Sequence, residues 1–129
     1  MELGIATTLT TTFDDAVERT RAALQQQGFG VLTEIDMQAT LRAKIGEDID
    51  RYLILGACNP QLAHRAVGLN RQIGLLLPCN VVVREDGEAV VVEAMNPQLM
   101  VEVADDAELA VVADEATTRL RNAIDSLAD

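Results

Sequence analysis

The chain has 129 residues, 49% apolar and only 2% aromatic, with a formal net charge of −11 from 21 acidic and 10 basic residues. That is enough for one globular domain, 1–129, with a core built from Val, Leu, Ile and Ala and no need of disulfide staples. Lys44 is the only lysine; without a basic face to replace phosphate counterions or to dock on anionic lipid, neither nucleic acid nor a membrane is an expected partner.

The longest mostly apolar stretch, 73–83, is interrupted by Pro78, Cys79 and Asn80 and is shorter than the ~18–20 residues of a membrane span. Glu2 and the lack of a basic n-region argue against a signal peptide. A cytoplasmic setting is therefore expected, with the cysteines reduced.

In chain order, residues 3–10 read as a first strand with β-branched content. Thr12, with Asp15 three residues on, predicts the cap of a helix whose inner face is Phe13, Val17, Thr20 and Leu24; Gly28 ends it. A second strand follows at 29–35. Asp36 caps a short helix over 37–45, with Met37, Leu41 and Ile45 as its stripe and Gly46 as its stop. The third strand, 51–57, is nearly all apolar. Asn59-Pro60 starts a helix to about Leu69, with Ala63, Ala66 and Val67 inward.

Residues 79–85 and 88–95 predict a hairpin around Asp86-Gly87, either as a two-residue turn with Glu85 opposite Glu88 or as a three-residue turn with Gly87 as the bulge. A long helix over 106–127 closes the order, with Leu109, Val112, Ala116, Leu120, Ala123, Ile124 and Leu127 on one stripe. The order β-α-β-(α)-β-(α)-β-β-α predicts an α+β fold, a mostly antiparallel sheet with two long helices on one face.

Two matched segments stand out, Leu55-Gly56-Ala57-Cys58-Asn59-Pro60 and Leu76-Leu77-Pro78-Cys79-Asn80-Val81. They hold the only two cysteines, each followed by Asn. If the strand before Cys58 and the strand after Cys79 are antiparallel neighbours, the thiols come together at one sheet end. His64, the only histidine, lies on the helix between them, and Met95 and Met100 follow the last strand. Two thiols and an imidazole make a partial soft-metal or redox site. The same thiols also fit plain packing as small apolar groups. Asn59 reads as a helix cap, and Asn80 as a buried amide that ties down a loop or faces a pocket.

Other catalytic templates fail. No glycine-rich phosphate loop is present, and the only serine, Ser126, lies in the last helix.

On Ile54–Pro60, Ile73–Val83, the hairpin turn and Asn96-Pro97, the chain resembles the domain of unknown function 302 family of small bacterial and archaeal proteins over about Thr10 to Asp125. The resemblance implies a curved antiparallel sheet under two long helices, similar to the TATA-binding-protein arrangement, and a homodimer. It implies no reaction. A branch of the family differs at the positions of Cys58 and Cys79, so the thiols are not a requirement of the fold and would mark a subtype property if they act at all.

Three functions fit. The first is a small binding or sensing domain that holds a small ligand, a soft metal ion or haem, at a pocket rimmed by Gly56, Cys58, Asn59, Pro78, Cys79 and Asn80, with His64 nearby. The second is a thiol-redox or sulfur-handling enzyme using Cys58 and Cys79. The third is a structural dimeric module in which the cysteines only pack.

Overall fold

A computed structural model describes residues 1–128. Among them β1 (Gly4–Leu9), α1 (Phe13–Gln26), β2 (Gly30–Asp36), α2 (Met37–Ile45), β3 (Tyr52–Cys58), α3 (Pro60–Leu69), β4 (Cys79–Asp86), β5 (Ala89–Met95), α4 (Gln98–Ala104) and α5 (Ala110–Leu127) follow one another. Short 3-10 helices occupy Arg71–Leu76 and Ala107–Leu109. The strands form one sheet in the order β1-β5-β4-β3-β2, antiparallel throughout. The fold is α+β.

Local chemistry sets the boundaries. The Thr12 side chain accepts from the Asp15 N–H, Asp36 from Ala39, and Asn59 from Leu62. Each satisfies a backbone donor that the first helical turn leaves without a partner. Gly46 ends α2 in the left-handed region at φ 68°, where a side chain would be strained.

Side chains alternate across the sheet. One face carries Ile5, Leu9, Leu53, Leu55, Ala57, Cys79, Val81, Val83, Val90, Val92 and Ala94, all buried under α1 and α5. Full burial of one such aliphatic side chain contributes about 1.5–3 kcal/mol. The other face carries exposed Thr8, Thr33 and Asn80 beside half-buried Tyr52, Ile54, Val82, Arg84, Glu93 and Met95. A second buried cluster lies among the helices alone: Leu62 and Ala66 of α3, Ile73, Met100 of α4, and Leu109, Val112, Ala113 and Ala116.

Several expectations change. The hairpin turns at Gly87-Glu88, because Asp86 pairs with Ala89 and Glu85 with Val90. Neither expected turn forms, so Glu85 does not face Glu88 and Gly87 is no bulge; the positive φ of 63° falls on the first central residue, as in a type II′ turn. Val67 is exposed, and Leu62 points inward with Ala66. Ile45 is 65% exposed, and α2 buries no residue fully. The expected helix from 106 is a 3-10 turn capped by Asp106, continued by α5. Among the described residues no helix is long and apolar enough to cross a membrane.

Candidate functional site

β3 and β4 are antiparallel neighbours, with Ala57 opposite Cys79 and Gly56 opposite Asn80. That pairing brings the ends of two distant segments together. Cys58 and Cys79 both line one cavity of about 30 Å³, together with Phe29, Asn59, Leu62, Pro78, Met100 and Val112. The cavity lies on the seam between the two buried clusters: Phe29 and Cys79 belong to the sheet-backed one, Leu62, Met100 and Val112 to the helical one.

The two thiols are not equivalent. Cys58, the last residue of β3, is half-buried, and Cys79 is 6% exposed. Burial, with the neighbouring Cys58 as the smaller cause, pushes the Cys79 thiol up from 9.0 to about 11. At neutral pH Cys79 is a thiol. Both cysteines are free.

Backbone geometry holds this corner closed. A Cβ on Gly56 would sit 2.8 Å from Cγ of Pro78 and would also strike the Thr33 side chain. Only glycine lets the segment holding Pro78 and Cys79 lie this close to β3. Asn59 Oδ1 accepts from the Leu62 N–H at 3.1 Å, which fixes the start of α3 beside the cavity.

The other expected site residues lie elsewhere. His64 is exposed and does not line the cavity. Leu62 and Ala66 face inward, and His64, two residues from each, points about 200° away on a 100°-per-residue wheel. Asn80 follows Cys79 on a strand, so it falls on the opposite face, exposed in a shallow cleft with Leu3, Tyr52, Glu93 and Met95. It is neither a buried amide nor a cavity residue, and Met95 goes with it. Gly56 is buried beneath the rim and does not line the cavity.

Met100 does line it, 2% exposed on α4. Sequence reading placed Met100 near this edge but predicted no helix there. The Asn96-Pro97 pair, with Asn96 accepting from the Gln98 N–H at 3.0 Å, was the available signal.

About 10–15 Å³ of such space holds one water. The cavity therefore has room for one or two waters or a single ion, and a haem macrocycle does not fit. Among the described residues, no three His, Cys, Asp or Glu side chains are grouped to hold a metal. What the corner offers is two thiols and a thioether in apolar surroundings.

Comparison with solved structures finds the same architecture in the crystal structure of an uncharacterized conserved protein DUF302 from Bacillus stearothermophilus. The TM-score is 0.92 at 28% identity, covering 98% of this chain and 99% of that one. No curated protein matches the chain. The profile of the domain of unknown function DUF302 matches residues 5–127. With nearly its whole length matched and its fold shared, this chain belongs to the DUF302 family.

Proposed function

We propose that this protein is a small cytoplasmic ligand-binding or sensing domain whose ligand is a single thiophilic centre held by Cys58 and Cys79. One observation carries the reading: the only two cysteines, 21 positions apart, line the same small apolar cavity. The half-buried Cys58 supplies access, and the buried Cys79 supplies a second sulfur that solvent does not compete for. The enzyme alternative needs a thiolate that attacks and a thiolate that leaves. No base or cation lines the cavity to hold either thiol as a resting thiolate, whereas a soft centre displaces the thiol protons as its bonds form, so binding is the reading the geometry supports better.

Arsenite tests it, because trivalent arsenic bridges paired thiols and leaves isolated ones free. The reduced protein should take up one arsenite per chain with the loss of two titratable thiols, and Cys58→Ala or Cys79→Ala alone should abolish uptake. Two thiols still titratable in excess arsenite would leave the cysteines as packing groups and end the proposal.

The partner in this reading is a second copy of the chain, meeting it across the sheet face turned away from α1 and α5. Half-buried Val82 and Met95 surround Arg84 and Glu93 there, and neither charge has an ion pair among the described residues. A twofold interface pairs such residues reciprocally. Light scattering should find a dimer, Arg84→Glu should give monomers, and adding Glu93→Arg should restore the dimer. A wild-type monomer at high concentration overturns this assignment.

A further inference from the structure

We propose that the cavity is a Cu(I) site of three sulfurs, the thiolates of Cys58 and Cys79 and the thioether of Met100. The inference rests on the dithiol reading above and names its ligand.

Three chain segments converge on the cavity, each with one sulfur: Cys58 at the end of β3, Cys79 at the start of β4 and Met100 in α4. The other methionines of the described residues lie outside it. Its remaining lining is apolar except for Asn59, whose side-chain oxygen already caps α3. Calcium and magnesium want oxygen donors that the cavity lacks. Structural zinc and iron–sulfur clusters take four protein ligands, and three sulfurs leave either one short. Of the three metal classes that thiolate and thioether ligands select, Cu(I), zinc and iron–sulfur clusters, Cu(I) is the one satisfied by two or three such donors.

Size and access agree. About 30 Å³ accommodates one ion without a ligand shell of its own. Cys58 gives an entry path, and Met100 and Cys79, at 2% and 6% exposure, keep the far side dry. Binding is a ligand exchange without electron transfer. Copper stays in the +1 state, each thiol releases its proton to solvent as its Cu–S bond forms, and Met100 donates a lone pair.

The test is an anaerobic titration of the reduced full-length chain with Cu(I) in competition with a chromophoric Cu(I) chelator, followed by X-ray absorption at the copper edge. One Cu(I) per chain with three sulfur neighbours is expected. Met100→Leu conserves volume in a packed core, so its unfolding midpoint should stay near wild type. Its Cu(I) affinity should fall by about tenfold or more, since even an outer partner of a metal ligand is typically worth that much, and its absorption edge should change to that of two-coordinate copper. The Cys58→Ala/Cys79→Ala double variant should lose high-affinity binding.

If Met100→Leu binds as tightly as wild type with an unchanged edge, the third sulfur is wrong while the dithiol reading stands. If the wild type takes arsenite but not Cu(I), the metal is wrong and the dithiol reading again stands. If the double variant keeps wild-type Cu(I) affinity, the copper is bound elsewhere and this site is wrong.

Discussion

The sheet-backed cluster and the helical cluster bury side chains of the same kinds by different means. In the first, Leu55, Val81, Val83 and Val92 stand on a hydrogen-bonded antiparallel frame, and α1 and α5 lie over them. In the second, Leu62, Ile73, Met100 and Leu109 come from α3, a 3-10 helix, α4 and a second 3-10 helix, with no sheet beneath. A ladder distributes its backbone bonds over many neighbours. Short helices and 3-10 turns hold their place through a few side chains each and open at lower cost. The cavity lies between the two, so one wall is rigid and the other adjustable. Both thiols belong to the sheet side, at the ends of β3 and β4, while Met100 belongs to the helical side.

The largest effects should come from the rigid side. Leu55 is fully buried in the middle of β3. Leu55→Ala removes its burial and leaves a cavity that the ladder cannot collapse, at a cost of about 3–5 kcal/mol. Urea unfolding followed by circular dichroism and by amide exchange should give the same loss. A smaller loss confined to a few amides would mean that the sheet does not unfold as one unit.

Ile73→Ala sharpens the contrast. Ile73 is 1% exposed inside the 3-10 helix Arg71–Leu76, and truncation should cost about 2–4 kcal/mol. Amides of α3, Arg71–Leu76 and α4 should exchange faster, while those of β4 and β5 keep their protection. Equal acceleration in the sheet would make the two clusters one cooperative unit and remove the distinction.

The sheet was legible in the sequence because its strands are apolar, β-branched runs set off by residues with a mechanism: Thr12, Asp36 and Asn59 as helix caps, Gly46 and Gly87 at positive φ. The approach of Cys58 to Cys79 was legible for the same reason, since it needs only the antiparallel pairing of their strands. The helical side was not. Gln98–Ala104 holds β-branched Val101 and Val103, and its N-cap residue Pro97 makes no side-chain cap hydrogen bond, so only the Asn96-Pro97 pair before it marks α4 locally. Its formation is a tertiary effect of burying Met100 against the helices around it. Asn80 and His64 were misplaced by sequence adjacency: one residue along a strand, or two along a helix, carries a side chain to the other face.

Cys79 extends the comparison to pH. Its folded value of about 11 lies above the ordinary 9.0 of an unfolded chain. The folded state keeps the proton after the unfolded state has released it, so stability is intact below pH 9 and falls as pH rises from 9 to 11. Linkage gives a loss of about 1 kcal/mol by pH 10 and about 2 kcal/mol by pH 11. Cys79→Val should lack this component. Parallel curves of stability against pH for the reduced wild type and this variant would show that the thiol is open to water, and the rigid wall with it.

The smallest effect concerns Asn59, which touches both sides. It is 9% exposed, lines the cavity, and accepts from the Leu62 N–H that begins α3. Asn59→Ala removes the cap and should cost about 1 kcal/mol, whereas Asn59→Asp keeps an acceptor oxygen at the cap and should recover most of it. Chemical denaturation of the pair reads the difference. A hard amide oxygen is no ligand for a soft ion, so both variants should bind Cu(I) within a few-fold of wild type. A large loss of copper in Asn59→Asp, with stability preserved, would give Asn59 a part in holding the ligand. The adjustable wall would then begin at residue 59 rather than at Leu62.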